Sequence, residues 1–321
     1  MNRPQEFFPE IEPYDAGHMA ISGPGGCEIY YEQCGNPKGF PIMFMHGGPG
    51  AGCSTDDRRF FDPDKWRIIL FDQRGCGRSR PLGKLTGNNT WALIDDIRTI
   101  YKRLAIKRAV LFGGSWGSTL ATTFAIEYPR MVAGMVLRGI FLGTKREMDY
   151  FYKDGYEGVG IYIPYEWERY IGHVPPEHRN DPLAYYLDRI VKGDKKLSRE
   201  LALYECANLH LYPPTQEELE THLSSSPEIA LLEAHYFKNN CFLEDEYILE
   251  NAPKISYRIP VSIIQGKYDL VCMPISAKLL HEAFRHSTLH WTVAGHSSRD
   301  SETLKKLVSE TDAMFDKITK Q

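Results

Sequence analysis

The sequence predicts an α/β fold in which a mostly parallel β-sheet is flanked by helices and interrupted by a helical insertion. Apolar, β-favouring runs alternate with helical patterns up to about residue 143. From there to about residue 251 the periodicity is helical, and the strand–helix alternation then resumes. Alternation at this spacing is typical of parallel strands joined by right-handed crossovers. We therefore expect a core domain formed by residues 1–143 and 252–321, and a helical cap domain formed by residues 144–251.

The first part of the chain predicts a β-hairpin, two short apolar strands and an amphipathic helix. The hairpin strands flank the glycine-rich turn at residues 23–26, and Asn89-Thr90 precedes the helix as a capping sequence. The short apolar runs have the composition of strands that are buried on both faces of a parallel sheet. The predicted elements lie, in order, at residues 18–22, 27–33, 41–45, 66–71 and 91–104.

The rest of the chain also alternates strands and helices, apart from one long helical stretch. A strand beginning at residue 109 runs into a helix over 120–128, and a further strand covers 135–137. Helical periodicity then dominates, with examples at 147–152, 183–191, 200–208 and 228–237. The sheet resumes with a strand, a helix, a strand and a final amphipathic helix, at residues 261–265, 274–284, 287–293 and 301–318.

Composition excludes several classes of protein. The 321 residues are 42% apolar and 25% charged, with a net charge of −4, which gives no argument for binding nucleic acid or a membrane. The first ten residues lack the apolar core of a signal peptide, and no apolar run approaches the roughly 18 residues that span a bilayer. The seven cysteines are scattered, without a C-x-x-C pair. We expect a cytoplasmic protein with reduced thiols and neither a metal nor an organic cofactor.

One stretch organises the chemistry. Gly113-Gly114-Ser115-Trp116-Gly117 fits G-x-S-x-G, the nucleophile elbow of the α/β-hydrolases, and it joins an apolar strand to a helix. So tight a turn holds the serine in strained backbone geometry, and small residues on either side let strand and helix approach closely. The sequence therefore predicts Ser115 as a nucleophile at the carboxyl edge of the sheet, within the α/β-hydrolase fold.

A base and an acid follow the serine in the order that this fold uses. Asp269 and His296 each come directly after a predicted strand, and functional groups of such sheets lie just beyond the carboxyl ends of strands. A serine hydroxyl needs an imidazole to take its proton, and the imidazole needs a carboxylate to fix its tautomer. Each of these two residues alone would be read as an ordinary turn or core residue. Together, Ser115, Asp269 and His296 predict a catalytic triad.

Backbone donors for an oxyanion are predicted from two loops. The residue after the nucleophile, Trp116, supplies one N–H group. The other comes from the loop after the strand at residues 41–45, which reads His46-Gly47-Gly48-Pro49-Gly50. We choose Gly48 as the second donor because glycine lets the backbone approach a substrate closely.

These motifs resemble those of the proline iminopeptidases, the prolyl aminopeptidase group of α/β-hydrolase serine peptidases. The similarity is nearly continuous from residue 46 to residue 141, and Gly-Gly-Ser-Trp-Gly-Ser beside His-Gly-Gly-Pro-Gly is far rarer than G-x-S-x-G alone. The matching stretches are His46-Gly47-Gly48-Pro49-Gly50, Asp72-Gln73-Arg74-Gly75, Gly113-Gly114-Ser115-Trp116-Gly117-Ser118, Arg138-Gly139-Ile140-Phe141, Gly266-Lys267-Tyr268-Asp269 and Gly295-His296-Ser297.

The resemblance implies removal of an unblocked N-terminal proline from a peptide. Family members recognise the free amine with glutamates of the cap, and Glu205 and Glu233 look like those positions. An ammonium taken out of water is costly unless it is paired, so carboxylates suit such a site. The family commonly has Trp-Glu-Gly at the first position, and here Tyr204 and Cys206 flank the glutamate instead.

The resemblance also implies an apolar slot for the proline ring. Phe141 matches the aromatic residue of the family's pocket, and Tyr150 and Phe151 are expected as walls near the cap entrance. Aromatic side chains more commonly pack in a core, so core packing is the competing interpretation for all three.

Three alternatives remain open at this point. The first is another serine hydrolase of the fold, such as an esterase or a broader aminopeptidase. The second is an epoxide or haloalkane hydrolase, which the serine at 115 disfavours. The third is a non-catalytic binding protein of the same fold. The expected partners are small peptides with a free N-terminal proline, without nucleic acid or membrane. The sequence leaves open whether the protein is a monomer or a small homo-oligomer.

Overall fold

The computed structural model describes residues 7–23, 25–224, 226–284 and 286–320, which form one eight-stranded sheet with helices on its faces. The strands are β1 (Asp15–Ile21), β2 (Cys27–Gly35), β3 (Phe40–Met45), β4 (Trp66–Phe71), β5 (Ala109–Ser115), β6 (Val132–Ile140), β7 (Val261–Gly266) and β8 (Thr288–Thr292). Their order across the sheet is β1-β2-β4-β3-β5-β6-β7-β8. The pairs β1–β2 and β2–β4 are antiparallel and the others are parallel. The predicted fold class is confirmed.

Most helices lie where the sequence predicts them, but those at Trp116–Glu127 and Lys195–Cys206 begin four and five residues earlier than predicted, and those at Pro164–Gly172, Gln216–Ser224 and Tyr247–Asn251 were not among the predicted examples. The helices are α1 (Thr90–Arg103), α2 (Trp116–Glu127), α3 (Lys145–Tyr152), α4 (Pro164–Gly172), α5 (Pro182–Val191), α6 (Lys195–Cys206), α7 (Gln216–Ser224), α8 (Ser226–Lys238), α9 (Tyr247–Asn251), α10 (Pro274–Phe284) and α11 (Ser301–Thr319). Helix α1 begins where predicted, because the Asn89 side chain accepts a hydrogen bond from the Ala92 N–H. Helices α3 to α9 lie between β6 and β7, and we call them the helical segment. In the part of the chain described, no helix has the length and apolarity needed to cross a bilayer.

The core lies on both faces of the sheet because the central strands are apolar over most of their length. Along β5, Val110 and Phe112 belong to one apolar cluster, whereas Ala109 and Leu111 belong to the cluster on the opposite face. Successive side chains of a strand point to opposite faces, so an uninterrupted apolar run packs against helices on both sides. This packing fixes β5, and with it the turn that follows.

The helical segment has an apolar cluster of its own, built largely from aromatic rings. Tyr170 lies between Tyr186 and Tyr204, with ring centroids 4.5 and 4.6 Å away, and both pairs are stacked. The Tyr204 hydroxyl donates a hydrogen bond of 2.7 Å to the Phe151 carbonyl, which joins α6 to α3. The aromatic-rich composition of this stretch therefore serves mainly to hold its helices together.

Candidate active site

The turn from β5 to α2 has the geometry of a nucleophile elbow. Ser115 ends β5 with φ 56° and ψ −130°, a conformation that non-glycine residues rarely adopt. A Cβ atom at Gly113 would overlap the Gly117 carbonyl, and one at Gly117 would overlap the Met45 carbonyl. Both glycines are therefore required by the close approach of strand and helix, as the motif predicted. Ser115 is held at the carboxyl edge of the sheet, where its side chain lines a cavity.

Asp269 and His296 lie together in the loops after β7 and β8. The His296 Nδ1 atom is 2.9 Å from Asp269 Oδ2, and both side chains are buried. The same carboxylate accepts hydrogen bonds from the Cys272 N–H at 2.8 Å and from Gln265 Nε2 at 3.0 Å. A carboxylate held in this way fixes the imidazole with its Nδ1 proton directed to the acid, which leaves Nε2 to act as a base.

The serine and the histidine line the same cavity but are not joined by a hydrogen bond within the described residues. Ser115 Oγ lies 4.0 Å from Cys272 Sγ, and His296 Nε2 lies 3.4 Å from an Arg138 guanidinium nitrogen. The same guanidinium nitrogen donates a 2.6 Å hydrogen bond to the His296 carbonyl. Hydrogen bonds between nucleophile and base are often long in free enzymes and tighten when substrate is bound.

Both segments expected to supply oxyanion donors border the nucleophile. Trp116 is fully buried and begins α2, so its N–H belongs to the unpaired first turn of that helix. Gly48 lines the cavity with φ 103°, a conformation that favours glycine. A Cβ atom added to the neighbouring Gly47 would lie 3.5 Å from the Ser115 Cβ atom. The loop therefore passes directly beside the serine, where a tetrahedral oxyanion would form.

Two glutamates of the helical segment line the cavity. Glu205 on α6 and Glu233 on α8 are 9% and 7% exposed, and their carboxyl groups are close enough to affect each other's ionisation. Burial raises the pKa of both side chains, and the proximity of Glu205 raises the pKa of Glu233 further. The Tyr152 hydroxyl donates a 2.6 Å hydrogen bond to Glu205. Two buried carboxyl groups with raised pKa values are suited to bind a cation, because its charge offsets the cost of their ionisation.

The helices that carry these glutamates are attached to the sheet through separate contacts. On α8, the Tyr236 hydroxyl donates a 2.7 Å hydrogen bond to the side-chain oxygen of Asn88. The His235 ring lies 2.7 Å from the backbone oxygen of the same residue. Beyond α6, the Leu209 carbonyl accepts a 2.7 Å hydrogen bond from the Ser297 N–H. One glutamate is thus fixed near α1, and the other is fixed beside the loop that carries His296.

The cavity has a volume of about 480 Å³, a size typical of small-molecule sites. Phe141, Phe151, Tyr152 and Phe237 supply aromatic walls. Tyr150 does not line the cavity; it is half-buried and packs against the aromatic cluster of the helical segment. The described residues contain no group of three or more His, Cys, Asp or Glu side chains placed to hold a metal ion.

Comparison with known proteins agrees with this geometry. A profile described as the alpha/beta hydrolase fold matches residues 41–298. A proline iminopeptidase of Xylella fastidiosa (strain Temecula1 / ATCC 700964) is 40% identical over 95% of this chain and 98% of its own length. A proline iminopeptidase of Arabidopsis thaliana is 38% identical, over 96% of this chain and 81% of its own length. This chain belongs to the proline iminopeptidase family.

Solved structures with the same fold are more distant. An esterase from Exiguobacterium antarcticum superposes with a TM-score of 0.66 at 19% identity, covering 90% of this chain and 96% of the esterase. A putative aryl esterase from Burkholderia cenocepacia gives a TM-score of 0.67 at 17% identity, covering 94% of this chain and the whole of its own. At this identity the likeness concerns the fold of the family and not its substrates.

Three side chains of the site were not assigned from the sequence. Arg138 is half-buried beside His296, and desolvation lowers the pKa of its guanidinium. Gln265 bonds to the Asp269 carboxylate, and Tyr152 bonds to Glu205. Of the three, only Arg138 has a signal in the sequence that could have indicated a polar role, namely a charged residue near the end of an apolar strand. The residues that depart from the family pattern, Tyr204 and Cys206, are both buried.

Proposed function

We propose that this protein is a serine exopeptidase, a prolyl aminopeptidase that releases an unblocked N-terminal proline from peptides. The observation that carries the proposal is the pair of buried carboxyl groups, Glu205 and Glu233, in the same cavity as Ser115 and His296. An esterase has no use for two buried carboxyl groups beside its nucleophile, because an ester presents no cation to offset the cost of burying them. The names of the related proteins agree with this substrate.

The chemistry follows from the geometry of the site. The secondary ammonium of the N-terminal proline is held by the glutamate pair, and its ring lies against Phe141 and Phe151. Ser115 Oγ attacks the prolyl carbonyl carbon while its proton passes to His296 Nε2. The oxyanion accepts hydrogen bonds from the N–H groups of Gly48 and Trp116, each worth about 2.7–4 kcal/mol where such donors have been removed.

Collapse of the tetrahedral intermediate completes acylation. His296 gives its proton to the leaving amine, the C–N bond breaks, and the prolyl group remains as an ester on Ser115. Water then loses a proton to His296 and attacks the ester, which releases proline and restores the serine. Asp269 stays ionised throughout and stabilises the imidazolium. The proposed mechanism uses no metal or organic cofactor.

The proposed organisation assigns separate roles to the two parts of the chain. Residues 1–143 and 252–321 form the core that carries the triad, and residues 144–251 form a cap that carries the amine site. The partners we propose are small peptides with a free N-terminal proline. From its composition we infer a cytoplasmic protein, and its oligomeric state is left open.

One pair of substrates tests the proposal. Prolyl p-nitroanilide should be hydrolysed, whereas its N-acetylated form should not, because the acetyl group removes the positive charge that the glutamates bind. Replacing Ser115 with Ala should abolish turnover while the circular dichroism spectrum remains that of the original protein. Equal hydrolysis of the free and the acetylated substrate would favour the remaining candidate, an esterase or amidase of broad preference. Full activity in the Ser115→Ala variant would exclude the mechanism altogether.

A further inference from the structure

Gln73 belongs to a motif for which the mechanism above has no role. It follows β4 in the stretch Asp72-Gln73-Arg74-Gly75, lies outside the cavity lining and is 2% exposed. A fully buried amide must find partners for both its donor and its acceptor.

The amide of Gln73 connects the two segments that border the nucleophile. Its Nε2 atom donates a 2.9 Å hydrogen bond to the His46 carbonyl, directly before the Gly47-Gly48 loop. Its Oε1 atom accepts a 2.9 Å hydrogen bond from the indole nitrogen of Trp116. One side chain thus links the first residue of α2 to the loop after β3.

The backbone of Gln73 adds a second link through the His46 ring. The Gln73 N–H lies 2.9 Å from His46 Nε2, and because a backbone N–H can only donate, Nε2 must accept. His46 Nδ1 lies 2.9 Å from the Gly47 carbonyl and 3.3 Å from the Gly52 N–H. We assign the ring proton to Nδ1, donating to the Gly47 carbonyl, because the contacts that agree with this tautomer are the two shorter ones. Burial lowers the pKa of His46, which favours this neutral form of the ring.

The contact with the Gly47 carbonyl controls the direction of the next N–H. A peptide unit is planar and trans, so the carbonyl of Gly47 and the N–H of Gly48 point in opposite directions. The imidazole of His46 and the Ala51 N–H, at 2.9 and 3.3 Å, both hold that carbonyl and therefore fix where the Gly48 N–H points. Oxyanion donors stabilise a transition state only when they lie about 2.7–3.1 Å from the developing charge.

We propose that Gln73 is a positioning residue for the oxyanion site. It holds Trp116 with its side-chain oxygen, the His46 backbone with its side-chain nitrogen, and the His46 ring with its own N–H group. The inference rests on the proposed function only in that Gly48 and Trp116 are taken as the oxyanion donors. Gln73 touches no reacting atom and acts through these two segments.

Replacement of Gln73 with Met removes both amide bonds at similar side-chain length. We expect kcat for prolyl p-nitroanilide to fall about 10- to 100-fold, less than the roughly 10²- to 10³-fold that follows the loss of a whole oxyanion donor. KM should change less than about twofold, because the glutamates that bind the amine are untouched. Gln33→Met is the matched control. Gln33 is also buried and bonded at both ends of its amide, to Asp15 and Arg67, but it lies on β2 away from the cavity; its kcat should not change.

Binding of two inhibitors separates positioning from general damage. A prolyl boronic acid forms a tetrahedral adduct with the serine and places an oxygen among the oxyanion donors, whereas proline, the product, lacks that tetrahedral centre. We expect the affinity of Gln73→Met for the boronic acid to fall in parallel with kcat/KM, and its affinity for proline to stay within about twofold. An equal loss of both affinities, or an unchanged kcat, would overturn the proposal.

Two further variants keep the test decisive if Gln73→Met folds poorly. Gln73→Glu retains the acceptor for the indole and loses the donor to His46, and Trp116→Phe removes the indole donor while keeping its backbone N–H. Gln73→Glu should lower kcat at least as much as Gln73→Met, because its carboxyl oxygen faces the His46 carbonyl oxygen in a buried site, whereas Trp116→Phe should lower kcat by less. KM should again be unchanged; normal kcat in both variants would refute the inference.

The rate of inactivation by a fluorophosphonate distinguishes this proposal from the proposed function. Phosphonylation of Ser115 also develops negative charge on oxygen, but it requires no proline. If the original protein reacts with the reagent and fails to cleave prolyl p-nitroanilide, the proposed function is wrong, and a 10-fold or greater loss of labelling rate in Gln73→Met still supports the role of Gln73. Equal labelling rates in both proteins refute that role even if the peptidase activity is established.

Discussion

Replacement of Glu233 with Gln separates amine recognition from the chemistry of the serine. The substitution keeps the shape of the side chain and removes its charge from a site that is 7% exposed. Loss of one partner from a buried, hydrogen-bonded charge pair costs about 2–5 kcal/mol. At about 1.4 kcal/mol for each factor of ten, kcat/KM for prolyl p-nitroanilide should fall about 30- to 4,000-fold. Glu228→Gln, on the same helix but outside the cavity lining, should have no effect.

The same replacement should make the folded protein more stable above neutral pH. Folding raises the pKa of Glu233, so the folded state binds its proton more tightly than the unfolded chain does. Stability is therefore lost as pH rises from the ordinary glutamate pKa, about 4.3, through the raised value. Glutamine does not titrate and avoids this loss. The Tm of Glu233→Gln should exceed that of the original protein at pH 8, with a smaller difference at pH 4.

An ester without an amine, such as p-nitrophenyl acetate, completes the assay. Its hydrolysis uses the triad and the oxyanion donors but makes no demand on the glutamates, so Glu233→Gln should change its rate less than about threefold. The reasoning is refuted if both substrates lose activity equally, since the substitution would then have damaged the site as a whole. It is also refuted if the prolyl substrate is unaffected.

The amine site, the Arg74–Asp96 ion pair and the loop that carries His296 can each be tested separately. The kcat/KM of the prolyl substrate should rise with pH, and this rise should occur above the ordinary carboxyl pKa of about 4.3, because the pKa values of the glutamate pair are raised. The kcat/KM of the acetate ester should not show this rise. Asp96→Ala breaks a buried pair with Arg74 and should lower the free energy of unfolding by about 3–5 kcal/mol in urea, whereas the exposed neighbour Asp95→Ala should change it by less than about 0.5 kcal/mol. Gly295→Ala places a Cβ atom 2.8 Å from backbone atoms of the loop after α6. Because this contact would displace the adjacent His296, kcat should fall about tenfold or more. Gly17→Ala, at a position with open space around it, should leave kcat unchanged.

The elements and the nucleophile were predictable because local rules decide them. The glycines around Ser115 are required by contacts within the turn and the adjoining strand, and Asn89 caps α1 through a residue three positions away. The glutamates came from the resemblance alone, since Glu205 and Glu233 are indistinguishable by pattern from residues on the surface of a helix. What predicted them was similarity to a family, not periodicity.

The partners that depend on distant contacts were beyond the sequence. Which aromatic residue of α3 faces the cavity depends on the rotation of that helix, and the structure directs Phe151 and Tyr152 inward while Tyr150 packs among the helices. Arg138 meets the His296 carbonyl across 158 positions of sequence. Gln73 meets Trp116 across 43 positions. Such pairs are set by the order of strands in the sheet, which propensity and spacing do not encode.

The two separate attachments of the helical segment have a consequence for how a peptide would be shortened. Hydrogen bonds hold α8 at Asn88 and the end of α6 at the Ser297 N–H, so both helices that carry the carboxyl pair are tied to loops beside the cavity that Ser115 lines. Under the proposed function, the distance between the amine site and Ser115 accommodates one residue, the N-terminal one. A chain with an extra residue ahead of its proline would present the wrong carbonyl to the serine, so digestion would advance one proline at a time and halt at the first residue that the slot rejects.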